Sequence, residues 1–216
     1  PDLGNVLVYL AFFLSILFVS GINMKFFISS SIVGMILIPF SLRFLKEYQR
    51  LRLVAFLAPS HDPQGAGYNA LQAVITVGSG KIWGRGFGRG IQSHLRFLPE
   101  YHTDFIFASF TEEFGLSGAL VLFGLLFLLL WFILQQAHRY EPNSFERLFS
   151  VGLFMQLFIQ VVINIGMNIG IVPITGITLP LVSYGGSSIL ATCIGLGMLF
   201  SMRTQNRIDS ALAGSR

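Results

Sequence analysis

The sequence predicts an all-α membrane protein, a polytopic bundle of transmembrane helices with a large extracytoplasmic loop. The 216 residues are 53% hydrophobic and only 11% charged, against about 25% charged residues in soluble domains. Their mean hydropathy is +0.70. Five apolar segments each approach the roughly 20 residues that cross a bilayer. The net charge of +4 comes from scattered cations without a basic run, which excludes nucleic acid as a partner.

The five segments fall into a group of two and a group of three. Residues 5–21 form the first segment, and residues 26–44 form the second, which Pro39 is expected to kink. The later segments are residues 116–135, 148–171 and 179–202. The predicted organisation is therefore two transmembrane helices in 1–45, an extracytoplasmic loop with short helices in 46–113, three transmembrane helices in 114–203 and a cytoplasmic tail in 204–216.

Cations in the short loops set the expected orientation. With five spans, one side of the membrane receives Lys25, Arg139, Arg147, Arg203 and Arg207. Cytoplasmic loops carry such an excess of Lys and Arg, so this side is predicted to be cytoplasmic. The polar stretch 46–113 then lies outside, and it is too long for its own cations to affect the orientation.

The outer stretch is expected to contain more structure than a linker. Residues 70–77 are mildly apolar and predict a short helix that lies on the bilayer or dips into it. The glycines between Gly78 and Gly90 allow positive φ angles and a close approach of backbones. They match neither a dinucleotide-binding fingerprint nor a P-loop.

More than half of the charged residues lie between Arg43 and Glu113, at one membrane face. An outer site rich in arginine suits an anionic, lipid-linked substrate, because Arg binds phosphate oxygens bidentately. A diphosphate leaving group needs such an electrostatic clamp. The candidates for these contacts are Arg85, Arg89 and Arg96.

The segment Phe97–Phe107 places His102, Thr103 and Asp104 side by side just before an apolar span. Ionisable groups at the mouth of a span indicate a functional site, because charge is expensive there. Asp104 is the best candidate for a general base that acts on a sugar hydroxyl. No cluster with metal-ligand spacing is visible, so no metal site and no definite cofactor are predicted; a divalent cation is left open.

Structural roles explain the same residues and stay open at this point. Thr103 and Asp104 also fit a cap of the helix that begins near Phe105. The other candidates have equally simple interpretations: His102 as an interfacial hydrogen-bonding group, Glu112 and Glu113 as interfacial acids at a helix end, and Arg85 and Arg89 as anchors to lipid head groups.

Four motifs carry a resemblance to a known family. Phe97–Phe107 resembles the FLPE-x-HTDFIF signature of the SEDS family, the RodA, FtsW and SpoVE proteins of bacterial wall synthesis. Three further stretches agree in the same order: Pro1–Gly4 with PDLG, Asp62–Gln72 with DPxGxGYNxxQ followed by GSG at Gly78–Gly80, and Leu179–Ser188 with LPLxSYGGSS. The match extends from residue 1 to about residue 203 and is specific.

The resemblance implies a fold of ten membrane helices, of which this chain would carry the last five as the C-terminal half of a larger membrane protein. It also implies a multi-pass protein of the bacterial inner (plasma) membrane with its active site on the extracytoplasmic face. The pattern is more similar to RodA, which acts in elongation and cell shape, than to FtsW, which acts in division. One departure is Lys81, where the family pattern leads us to expect a small residue, usually Gly.

The activity that the resemblance implies is a peptidoglycan glycosyltransferase that polymerises lipid II. Its implied partners are membrane lipids and a class B penicillin-binding protein, the transpeptidase. Asp104 matches the family's proposed catalytic carboxylate, and the acid pair that follows it falls on Glu112 and Glu113. Ser183 and Tyr184, in the last motif, complete the predicted substrate-binding residues.

The predicted mechanism is inverting glycosyl transfer. Asp104 would deprotonate the 4-hydroxyl of the acceptor GlcNAc, whose oxygen would attack the anomeric carbon of lipid-linked MurNAc and release undecaprenyl diphosphate. Two alternatives remain. A lipid II flippase would relocate its substrate without forming glycosidic bonds, and a non-catalytic scaffold for the transpeptidase would not need Asp104.

Overall fold

The computed structural model describes residues 3–41, 47–57, 65–94, 98 and 100–213. Within these residues, all regular secondary structure is helical, which confirms the predicted fold class. The helices are α1 (Leu3–Val19), α2 (Met24–Ser41), α3 (Glu47–Leu57), α4 (Ala66–Ser79), α5 (Ile91–His94), α6 (Ile106–Ala137), α7 (Phe145–Asn168) and α8 (Gly186–Ala213).

Three helices are long and apolar enough to cross a membrane: Ile106–Ala137, Phe145–Asn168 and the Gly186–Thr204 part of α8. Two shorter apolar helices, Gly4–Val19 and Met24–Gly34, coincide with the first two predicted segments. Each apolar segment of the sequence is therefore helical over most of its length. In a bilayer, a helix satisfies its own backbone hydrogen bonds, which makes it one of the few structures that can span it.

The helix boundaries differ from the predicted ones in two places. Helix α6 begins at Ile106, ahead of residue 116, where the apolar segment becomes continuous. The predicted fifth segment begins at Leu179, yet α8 starts only at Gly186. Leu181 has a positive φ of 63°, which is incompatible with a regular helix at that position. The predicted boundary is early because hydropathy does not distinguish this apolar turn from the helix that follows it.

Helices α6 and α7 form the core of the bundle. One cluster of buried apolar side chains contains Phe107, Ala119, Leu122, Leu126, Val161, Ile165 and Leu179. A second contains Leu130, Ile133, Leu153, Leu157 and Leu199. Helix α1 packs on α7 at Gly152, where an added Cβ would lie 2.6 Å from the Phe12 ring. Small residues permit such close helix contacts in membranes.

Helix α4 covers the first turns of α6 and confirms the short helix predicted around residues 70–77. Its Ala73 packs with Leu98, Phe105 and Ala108. The start of α6, the end of α7 and the segment before α8 thus meet α4 at one end of the bundle. The predicted orientation places this end outside.

Candidate active site

The glycine-rich loop after α4 docks into a break in α6. Gly115 has φ 69° and ψ −167°, which interrupts the helix. The next backbone N–H groups, of Leu116 and Ser117, donate to the carbonyl oxygens of Lys81 and Ile82 at 2.9 and 3.0 Å. The loop therefore accepts hydrogen bonds that the helix would otherwise make within itself.

The same loop also donates to α6 on the other side of the break. The backbone N–H groups of Arg85 and Gly86 donate to the carbonyl oxygens of Glu112 and Glu113 at 2.9 and 3.0 Å. At Gly84 the two backbones are closer than a Cβ would allow. A Cβ atom on Gly84 would collide with the Glu113 carbonyl. The close approach expected from the glycines is confirmed.

Glu112 secures this loop with its side chain. The residue is fully buried, at 0% exposure. Its Oε1 accepts hydrogen bonds from the Gln92 backbone N–H at 3.0 Å and from the Ser79 hydroxyl at 3.5 Å. The Arg85 Nε lies 3.8 Å from the same oxygen. A buried carboxylate needs such partners. The interpretation of Glu112 as an interfacial acid is therefore wrong.

Asp104 lies just before the first turn of α6. The N-cap residue is Phe105, without a side-chain capping bond, so neither Thr103 nor Asp104 occupies the N-cap position. The Asp104 carbonyl oxygen accepts hydrogen bonds from the side-chain amides of Asn164 at 3.0 Å and Asn168 at 3.1 Å. Its Oδ2 faces Gly176, 3.5 Å from where a Cβ would stand.

The turn before α8 holds the residues in front of Asp104. The buried Ser183 hydroxyl donates to the Thr103 carbonyl at 2.7 Å and accepts from the Leu179 N–H at 2.7 Å. The Tyr184 backbone N–H donates to the His102 carbonyl at 2.9 Å. Two of the motifs found in the sequence are therefore in direct contact.

The predicted site residues form two groups. His102, Asp104, Ser183 and Tyr184 lie together, while Glu112 belongs to the loop group. The Asp104 carboxylate lies against Gly176, whereas the Glu112 carboxylate contacts Gln92 and Arg85. The two carboxylates do not form a close acid–base pair.

Several polar side chains of these groups are accessible. Tyr184 is 81% exposed, and His102 and Arg89 are exposed as well. The Arg85 side chain is 37% exposed, and Glu113 is half-buried. Arg96 lies outside the described residues. Among the described residues, no group of three or more His, Cys, Asp or Glu side chains is placed to hold a metal ion.

Sequence reasoning missed two residues at this site, Asn164 and Asn168. Both are 0% exposed, within a helix long and apolar enough to span the membrane. Their spacing of four residues places both amides on one helix face. Polar side chains inside a span are energetically costly and mark functional sites. Two asparagines four residues apart in an apolar segment could therefore have been identified from the sequence.

Comparison with known proteins places the chain in a family. Residues 1–208 match the family of FtsW, RodA and SpoVE, described as cell cycle proteins. Peptidoglycan glycosyltransferase MrdB of Escherichia coli K12 is 42% identical over 211 residues, 97% of this chain and 57% of the relative. Peptidoglycan glycosyltransferase RodA of Treponema pallidum is 40% identical over 163 residues, 76% of this chain and 37% of the relative.

A third relative and a solved structure extend the comparison. The probable peptidoglycan glycosyltransferase FtsW of Thiomicrospira cyclica is 36% identical over 211 residues, 96% of this chain and 54% of the relative. A solved peptidoglycan synthase complex that coordinates polymerization and crosslinking contains a chain with TM-score 0.71 and 36% identity, covering 92% of this chain and 55% of that one. The chain thus spans little more than half the length of MrdB. It belongs to the FtsW/RodA/SpoVE family of integral membrane proteins.

Proposed function

We propose that this protein polymerises lipid II into glycan strands during cell elongation, with Asp104 as the general base. The observation that carries the proposal is the placement of Asp104. Buried amides and the turn before α8 fix the backbone of this segment, while exposed polar side chains, such as His102 and Tyr184, surround it. A rigid backbone beside an accessible surface is what a positioned catalytic group requires.

The proposed reaction forms one glycosidic bond and breaks one bond to a diphosphate. Asp104 takes the proton of the acceptor 4-hydroxyl, and the oxygen attacks the anomeric carbon of the lipid-linked sugar as undecaprenyl diphosphate leaves. A positioned general base contributes about 10²–10⁴-fold to such a step. The guanidinium groups of Arg85, Arg89 and Arg96 stabilise the charge of the leaving diphosphate.

The remaining predicted residues have supporting roles in this proposal. His102, Glu113 and Tyr184 contact the sugars from the accessible surface. Glu112 acts through the loop that presents Arg85, and Ser183 acts through the segment that it ties down.

The proposed setting is the extracytoplasmic face of the bacterial inner membrane. The partner is a class B penicillin-binding protein, in keeping with the relative found in a polymerization and crosslinking complex. The identities of 42% to MrdB and 40% to RodA, against 36% to FtsW, support the elongation role.

The test compares the wild-type protein with Asp104→Asn, each in its full natural length with its partner in liposomes, using labelled lipid II. Polymer on a gel from the wild type alone is the expected result. Equal polymer from both proteins would exclude Asp104 as the base and favour a scaffold that needs another polymerase. No polymer from either, with lipid II crossing the bilayer, would favour the flippase.

A further inference from the structure

A side chain of α7 bridges the start of α6 and the residue in front of it. If α6 began one residue earlier, the N–H of Ala108 would donate to the carbonyl of Asp104, four residues before it. Here the Ala108 N–H donates instead to Oδ1 of Asn168 at 3.2 Å. Nδ2 of Asn168 in turn donates to the Asp104 carbonyl at 3.1 Å. The amide of α7 is thus inserted into the first turn of α6.

The regular helix pattern begins one residue later, where the Ser109 N–H donates to the Phe105 carbonyl at 3.1 Å. The Ala108 N–H is therefore one of the N-terminal donors that have no partner within the helix, and the Asn168 amide supplies one. Because the same amide holds the Asp104 carbonyl, it keeps Asp104 outside the first helical turn.

Asn164 fixes the same carbonyl from a second direction. Its Nδ2 donates to Asp104 at 3.0 Å and to the Ile177 carbonyl at 2.7 Å. The second of these bonds ties the site to the segment that contains Gly176, against which the Asp104 carboxylate lies. In a region that excludes water, neither amide has solvent as an alternative partner, so both bonds are kept.

We propose that Asn168, supported by Asn164, is a positioning residue that sets the direction of the Asp104 carboxylate. This inference rests on the proposed function of Asp104. Without the inserted amide, the Ala108 N–H would bond directly to the Asp104 carbonyl and draw Asp104 into the first turn of α6. The Cα–Cβ bond would rotate with the backbone and move the carboxylate away from the acceptor hydroxyl.

The test is steady-state polymerisation by Asn168→Leu and Asn168→Ser, in the full-length protein with its partner in liposomes. Leu has the branched shape of Asn without its polar atoms, and it should lower kcat about 10²-fold while KM for lipid II stays unchanged, because misplacement by about 1 Å has this effect. Ser leaves room for a water that bridges both groups, so its loss of kcat should be about tenfold. A role in packing alone would reverse this order, since Leu fills the space better than Ser.

The matched control is Gln136→Leu, which removes another buried amide of the bundle. Gln136 is 1% exposed near the opposite end of α6, and its Oε1 has no hydrogen-bond partner among the described residues. This variant should keep the wild-type kcat. A similar loss of kcat in Gln136→Leu, or a wild-type kcat in Asn168→Ser, would overturn the inference, even if Asn168→Leu failed to fold.

The two proposals fail in different ways. If Asp104→Asn is inactive while both Asn168 variants retain the wild-type kcat, only the positioning role is wrong. If Asp104→Asn polymerises normally, the proposed base is wrong, and a loss of kcat in Asn168→Leu then reports on some other group at the start of α6.

Discussion

The buried Glu112 side chain positions residues that lie at the protein surface. Its carboxylate lies inside the protein, yet it holds Arg85 and the backbone of Gln92 on the loop outside. The Glu112 carboxylate therefore holds the loop in position. A half-exposed partner such as Arg85 limits the energy of the ion pair itself, because solvent screens it.

Replacement of Glu112 should separate the hydrogen bonds from the charge. Glu112→Gln retains an oxygen that can accept from Gln92 and should lower the free energy of unfolding by about 1 kcal/mol. Glu112→Ala leaves the Gln92 N–H without that acceptor and empties a fully buried site, which should cost about 2–3 kcal/mol. Thermal unfolding in detergent measures both, with Glu113→Gln as the near-neutral control. An alanine variant as stable as the wild type would contradict this role.

Lys81 occupies a backbone conformation that favours glycine. Its φ is 49°, and left-handed geometry costs a residue with a Cβ about 1–2 kcal/mol. This explains why a small residue is expected here. Lys81→Gly should raise the free energy of unfolding by about 1 kcal/mol. Ile82→Gly, at an exposed neighbour without a positive φ, should lower it; stabilisation by both changes, or by neither, would contradict the backbone explanation.

At the scale of elements, α6 is one helix made of two parts. The part before Gly115 carries Glu112 and follows Asp104, and the part after it is continuously apolar. The break is stable because the loop supplies the hydrogen bonds that the helix loses there. Loop and helix therefore form a single unit, and damage to either should release the other.

The change Gly115→Ala should detach the loop. A Cβ at Gly115 would collide with the backbone of Gly84, and φ is +69°. We expect a loss of stability of more than about 2 kcal/mol and faster tryptic cleavage after Lys81, Arg85 or Arg89. Gly124→Ala, in the same helix with nothing within 4 Å of the added atom, should be neutral or stabilising by up to about 1 kcal/mol. Equal protease resistance in both variants would show that the break does not depend on glycine.

At the scale of the molecule, the site is built where α4, α6, α7 and the turn before α8 come together. Helices that cross the membrane in alternating directions bring the start of α6, the end of α7 and the start of α8 to the same side. Distant motifs of the sequence meet there, as Ser183 and Thr103 do at 2.7 Å. The location of the site thus follows from the direction of the spans.

Cysteine labelling tests this arrangement. The background is Cys193→Ala, which removes the single cysteine of the chain. In it, Trp83→Cys should react with a membrane-impermeant maleimide on cells whose periplasm is open to the reagent, because Trp83 is 82% exposed in the loop that the proposal places outside. Glu141→Cys, in the exposed turn between α6 and α7, should react only after the inner membrane is permeabilised. The opposite pattern would invert the proposed orientation.

The sequence by itself determined the helical class and the approximate spans, and it identified the segment around Asp104 as the candidate site. Long apolar segments in a membrane have to satisfy their own backbone groups, so hydropathy and length predict helices there. The close contacts of the glycine-rich loop were also predictable, because glycine has no Cβ and adopts positive φ angles readily.

Only the tertiary structure decided which side chains face one another. The turn at Leu179–Gly185 appears apolar in the sequence and is shaped by Ser183 and the positive φ of Leu181. The bonds from Asn164 and Asn168 to Asp104 join residues 60 and 64 positions apart, and Glu112 meets Gln92 across 20 positions. Composition and periodicity report on neighbours within a few turns of one helix, whereas these contacts depend on how separate helices pack.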